Sequence, residues 1–207
     1  MTKIKICGLY READIVYVNE AMPDYAGFIL LFPRSHRNLT PAQAAALRQH
    51  LAPGIKAVGV FVDQPLETVA AAAETVGLDV VQLHGHEDDD YIAALREETG
   101  CAVWKAFRIR AAADLDGAAR SGADEVLLDN GYGTGKAFDW SLAEGFDRPF
   151  LLAGGLTPEN IPAAIAAMHP ALVDVSSGVE TDKIKDRDKI LAAVRAAREV
   201  SKDVISK

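Results

Sequence analysis

Two stretches of this 207-residue chain, "LLAGGLTPEN" (151–160) and "VDVSSGVETD" (173–182), close apolar runs with residues that have almost no side chain. At Gly154, Gly155 and Gly178 no side chain stops backbone N–H groups from closing on an anion, and Ser176 and Ser177 sit beside them. A helix N-terminus behind such a loop adds partial positive charge. Two loops of this kind, late in the chain, predict a phosphate site. "LLFPRSHRNLT" (30–40) sets Arg34 and Arg37 against an acidic background. At least one of them reads as a solvated loop charge, while the other could grip a substrate carboxylate with its guanidinium fork. In "LHGHED" (83–88) the His84/His86 spacing suggests a metal. No third ligand accompanies it, so no metal is expected. Cys7 ends the first apolar run, KIKICG (3–8), and is one of two cysteines. Two distant cysteines are no disulfide framework, and Cys7 is expected to be a free thiol.

The elements that must carry these residues repeat along the chain. Apolar, β-branched runs stand at 3–8, 25–31, 56–62, 79–85, 102–108, 125–129, 150–155 and 172–178. They start roughly 21 to 31 residues apart, room for a strand, a helix and two short loops. Helical patterns fill most gaps, but the sixth offers only DWSLAEG (139–145). Thr40-Pro41 and Thr157-Pro158 each read as an N-cap followed by proline at the first helical position. Asp63 before Gln64-Pro65 is a looser version of the same signal. Eight βα units and no composition break predict an α/β fold, a single (β/α)8 TIM barrel domain over 1–207. An open doubly wound sheet is the alternative, but no G-x-G-x-x-G follows the first strand.

In a barrel of this type the active site lies at the C-terminal ends of the strands. Cys7, His84, Asp129, the Ala153–Gly155 run and the Ser176–Gly178 run all fall there. Strand alternation puts Lys5 on the face of Cys7, Gln82 on that of His84, and Asp174 on that of Ser176. Ile4, Ile6, Val81, Leu83, Val173 and Val175 then face the helices. Lys5 and Asp174 are on strands 1 and 8, neighbours in a closed barrel, and an ion pair between them is expected under the site. Cys101, Trp104 and Trp140 are expected to be packing residues.

Composition narrows the partners. A formal charge of −8 and a pI near 5.1 argue against nucleic acid, which wants a basic face. No apolar run approaches the roughly 20 residues of a membrane span, and the first residues do not read as a signal peptide. A reducing cytoplasm is the expected setting, without a membrane partner. A negative small molecule would have to be held by local devices rather than by overall charge.

Taken in order, "KICG", "FPRSHR", "VQLHG", "LLDNGYGTGKAFDW", "LAGGLTPEN" and "DVSSGVE" resemble the phosphoribosylanthranilate isomerase family of tryptophan biosynthesis. The resemblance runs from the first strand to the last. It implies an Amadori rearrangement by general acid–base catalysis, with no cofactor and an anionic phosphoribosyl substrate, in a monomer or homodimer. It makes Cys7 the general base, Asp129 the general acid and Arg37 the holder of the anthranilate carboxylate. Gln82 and His84 would face the substrate, and Gly154, Gly155, Ser176, Ser177 and Gly178 would carry the phosphate. The chemistry fits these types. Asp129 must rise from the usual aspartate pKa near 3.9 to stay partly protonated, and a thiol of pKa about 8.5 is a fair base. Lys5, one pleat below Cys7, should favour the thiolate.

Two departures from the family pattern are Tyr132, where a glycine pair is usual, and His36 within the S-x-R stretch. Two other readings compete. A sugar-phosphate isomerase of histidine biosynthesis would usually employ two aspartates and a second phosphate loop. A silent phosphoribosyl-compound binding protein would need neither Cys7 nor Asp129.

Overall fold

The computed structural model describes residues 2–129, 140–143 and 145–205. Eight parallel strands form the barrel: β1 (Lys3–Cys7), β2 (Tyr25–Leu30), β3 (Lys56–Phe61), β4 (Val80–Leu83), β5 (Ala102–Arg108), β6 (Glu125–Asp129), β7 (Phe150–Leu152) and β8 (Leu172–Val175). Each pairs with its neighbours in sequence, and β1 pairs with both β2 and β8, so the sheet closes. The register sets Lys5 beside Asp174. Helices α1 (Glu12–Ala21), α2 (Pro41–Arg48), α3 (Leu66–Val76), α4 (Asp89–Thr99), α5 (Leu115–Arg120), α6 (Ile161–Met168) and α7 (Arg187–Ile205) surround it. Between β6 and β7 the described residues contribute only a 3-10 turn, Trp140–Ala143, in line with the weak helical pattern there. "NGYGTG", with Tyr132, lies outside the described residues.

Alternation along each strand divides the core in two. Ile4, Ile6, Val81, Leu83, Val173 and Val175 pack outward against the helices, as expected. Tyr25, Val58, Val80, Trp104, Leu127, Leu151 and Leu172 fill the lower barrel interior. Trp104 is therefore a core residue, edge-on to Tyr25 with ring centroids 4.9 Å apart. Among the described residues, no helix is long and apolar enough to cross a membrane.

Local capping signals held where they were purely local. Thr40 accepts from the Gln43 N–H, and Gln43 reaches back to the Thr40 N–H, a complete capping box ahead of Pro41. The other two starts are displaced. Asp63 does not cap α3, which begins at Leu66; its carboxylate accepts the backbone N–H of His86 instead. Helix α6 begins at Ile161 rather than after Thr157. The Asn160 side chain takes the Thr157 N–H and donates to the Gly155 carbonyl, holding 155–160 as a turn. Two short elements were not foreseen: a strand at Asn38–Leu39 beside β2, and a hairpin pairing Glu180–Thr181 with Ile184–Lys185.

Candidate active site

A cavity of about 370 Å³ opens at the C-terminal ends of the strands. Cys7, Arg37, Gln82, His84, Asp129, Gly154, Gly155, Ser176 and Ser177 all line it. Gly178 stands behind, where a Cβ would collide with the Leu156 carbonyl oxygen, so only glycine lets the loops after β7 and β8 touch. Arg34 is exposed at the rim, as a solvated loop charge should be.

The floor of the cavity is a charged cluster. Lys5 is fully buried, and its Nζ donates to Asp174 Oδ2 at 2.8 Å and Gln82 Oε1 at 2.7 Å, with Cys7 Sγ at 3.3 Å. Those three acceptors match the three N–H bonds of an ammonium. The expected Lys5–Asp174 pair is therefore present, and it fixes the thiol from below. Space for it comes from Gly27 on β2, where a Cβ would lie 2.9 Å from both Cys7 Sγ and Lys5 Cε.

The electrostatics bear out the pull of Lys5 on the thiol and set a larger opposing effect beside it. Burial pushes the Cys7 thiol above its ordinary value; Lys5 and Lys185 pull it down, while Asp174 pushes it further up. Lys5 does favour the thiolate, but desolvation wins because the cation is already matched by Asp174. For Lys5, burial opposes the charge, yet Asp174 and Cys7 outweigh it and raise its pKa. Lys5 stays an ammonium.

A chain of polar contacts leads from this floor to Asp129. Gln82 Oε1 accepts from Lys5, so its Nε2 is a donor, and it lies 3.4 Å from His84 Nδ1. That assignment makes Nδ1 the acceptor and leaves the proton on Nε2, 3.4 Å from Asp129 Oδ2. Gln82 and His84 thus connect the surroundings of Cys7 to those of Asp129 across the mouth. His86 is not part of this: it is exposed and bonded to Asp63. Among the described residues no group of three His, Cys, Asp or Glu side chains could hold a metal.

Arg37 meets a partner that the sequence did not suggest. Its Nε and Nη2 each lie 2.6 Å from a carboxylate oxygen of Glu180, a bidentate fork that leaves the other N–H groups for a ligand. Lys185 Nζ reaches the same carboxylate at 2.7 Å. Burial pushes the Glu180 carboxyl up, but Arg37 and Lys185 outweigh it and hold it below the usual range. In the sequence Glu180 looked like any acidic loop residue, 143 positions from Arg37. A further buried pair, Lys105 and Glu87 at 2.6 Å, is equally invisible in the sequence; it pins the loop that carries His84, with Lys105 also on the Gly85 carbonyl. His36 turns away from the cavity floor, edge-on to Tyr10 with its Nε2 on the Lys183 carbonyl.

Closed parallel barrel, buried thiol, facing carboxylic acid, arginine fork and glycine–serine cradle define a (β/α)8 enzyme for acid–base chemistry on a small anionic compound. Residues 4–196 match the family model of N-(5'-phosphoribosyl)anthranilate (PRA) isomerase. An N-(5'-phosphoribosyl)anthranilate isomerase of a Thermoanaerobacter species is 43% identical over 205 residues, covering 96% of this chain and 98% of the relative. A crystal structure of phosphoribosyl anthranilate isomerase in complex with reduced 1-(o-carboxyphenylamino)-1-deoxyribulose 5-phosphate superposes with a TM-score of 0.87 at 34% identity, covering 96% of this chain and all of that one. So do the monomers of a dimeric phosphoribosylanthranilate isomerase from Thermotoga maritima, at TM-score 0.87 and 36% identity, with the same coverage. The chain belongs to the phosphoribosylanthranilate isomerase family, and is an isomerase of tryptophan biosynthesis.

Proposed function

We propose that Cys7 and Asp129 are the base and acid by which this chain rearranges N-(5-phosphoribosyl)anthranilate to 1-(2-carboxyphenylamino)-1-deoxyribulose 5-phosphate. One observation carries the reading: both groups line a single cavity with the Arg37 fork and the glycine–serine loops. Asp129 gives its proton to the furanose oxygen as the C1–O bond breaks and the anilino nitrogen lone pair forms the C1=N iminium. The Cys7 thiolate removes the C2 proton, and the C2–H electron pair becomes a C1=C2 bond while the iminium pair returns to nitrogen. The resulting enol then ketonises. The protein's contribution is proton transfer at two fixed points.

The other groups hold the two anionic ends. Arg37 offers its remaining N–H groups to the anthranilate carboxylate. Gly154 and Gly155 both have positive φ, 94° and 64°, which supports a concave run of N–H groups for the phosphate, closed by Ser176, Ser177 and Gly178. Gln82 and His84 keep the Asp129 side of the mouth polar. Asp174 lines the cavity with Oδ1 unbonded to any group of the described residues, and it is suited to accept a ribose hydroxyl. In this reading residues 1–207 work as one barrel domain in the cytoplasm, as a monomer or a homodimer, on a small anionic phosphoribosyl substrate.

The experiment is the fluorescence decay of freshly prepared phosphoribosylanthranilate with purified protein and with Cys7→Ser. Rapid decay with the parent and almost none with the variant is the expected result. A variant rate within about threefold of the parent contradicts the base assignment.

A further inference from the structure

The hairpin after β8 carries none of the proton-transfer groups, yet its two buried charges reach toward both ends of the site. We infer that Lys185 and Glu180 are positioning residues: Lys185 aims the Ser177 N–H into the phosphate cradle, and the Lys185–Glu180 pair holds the Arg37 fork against the carboxylate end. The inference rests on the phosphate and carboxylate placements proposed above.

The argument begins with a lysine where lysines are rarely found. The Lys185 side chain is fully buried, a position tolerated only when its N–H bonds are matched. It donates to the Ser176 carbonyl at 2.9 Å as well as to Glu180. A trans peptide points its C=O and its N–H in opposite directions. Drawing the Ser176 carbonyl toward Lys185 therefore turns the N–H of the same peptide, that of Ser177, away from Lys185. Ser177 lines the cavity and Lys185 does not, so that N–H faces the cavity side. No backbone acceptor among the described residues takes it. A ligand oxygen is the partner it lacks.

The carboxylate end depends on the same ammonium. Glu180 has both oxygens on Arg37 and shares Oε1 with Lys185. Arg37 is thus held by a carboxylate whose own place is set from the phosphate side. The hairpin is built to keep that register. Asp182 and Lys183 turn it with φ of 52° and 65°, the left-handed pair of a two-residue hairpin loop. The Lys183 carbonyl accepts from Tyr10 and faces His36, fastening the hairpin tip to the loops after β1 and β2.

The test measures KM, kcat and competitive inhibition by two probes, inorganic phosphate for one end and anthranilate for the other. Lys185→Met should weaken inhibition by phosphate by about tenfold, one charge-assisted hydrogen bond, and raise KM by more than it lowers kcat. Glu180→Gln should leave phosphate inhibition within about twofold and weaken anthranilate inhibition by about tenfold. If Lys185→Met does not fold, Lys185→Gln keeps a neutral donor and should show about a threefold loss toward phosphate. A purely structural role would lower the thermal midpoint while both inhibition constants of the folded variants match the parent, and that result overturns the inference. Absence of competitive phosphate inhibition in the parent overturns the phosphate placement itself, and the role of Lys185 with it.

Discussion

The lower and upper halves of the barrel interior are made by the same strand faces, one pleat apart, and they could hardly differ more. Below lie Val80, Leu127, Leu172, Tyr25 and Trp104, a dry apolar layer. Two residues further along the same strands stand Gln82, Asp129 and Asp174, with Lys5 and Cys7 on β1, all nearly excluded from water. The lower layer contributes burial of apolar area and needs nothing else. The upper layer loses solvation for an ammonium, a thiol and two carboxylates, and it is tolerable only because Lys5 finds three acceptors. The same backbone thus supports stability at one level and chemistry at the next.

Substitutions in the two layers should separate these contributions. The largest effect on folding is expected for Trp104→Ala, which removes the aromatic centre of the lower layer and should lower the unfolding free energy by about 3–5 kcal/mol. Denaturant unfolding reads that loss, and the kcat of the folded fraction should stay near the parent value; a parallel fall in kcat would mean the layers are not independent. Asp129→Asn should do the reverse. Its kcat should fall by about 10²-fold or more, with unfolding free energy within about 1 kcal/mol of the parent. A rate within a few-fold of the parent would move the acid elsewhere.

If Arg37 holds the anthranilate carboxylate as proposed, equally in ground and transition states, Arg37→Ala should act mainly on KM, raising it by about tenfold. Steady-state kinetics decide this, and an unchanged KM would remove Arg37 from the carboxylate end. The mildest effect is on pH dependence. As the proposed base, Cys7 would work only when deprotonated, and burial has raised its pKa, so the thiolate fraction keeps growing above neutral pH. The base limb of kcat/KM should therefore rise through the ordinary thiol range and level off only beyond it. A plateau already established at neutral pH would show that Lys5 overcomes the desolvation in the free enzyme.

Local rules read well where their causes are local. The Thr40 capping box needs only residues 40 to 43, and it formed as expected. Alternation alone placed Lys5 with Cys7 and Asp174 with Ser176, because strand geometry has a period of two whatever surrounds it. Asp63 does not cap α3 because His86 on another loop claims its carboxylate, and α6 starts late because Asn160, bonded to the Thr157 N–H and the Gly155 carbonyl, holds the preceding residues as a turn. The net direction of the Cys7 pKa is not legible in the sequence for a related reason. A sequence shows that Lys5 is near, but it does not show how completely water is removed or that Asp174 has already taken up the lysine's charge.

By itself the sequence determined the eightfold βα repeat, the inward polar face at the strand ends and which polar side chains stand there. These follow from periodicity and side-chain chemistry, which act over a few residues. Only the tertiary structure decided that Glu180 grips Arg37, that Lys185 lies buried beneath the Ser176 carbonyl, and that Gln82 and His84 stand between the surroundings of Cys7 and Asp129. Those contacts join segments far apart in the chain. Their strength comes from desolvation, which depends on the closed barrel rather than on any one segment.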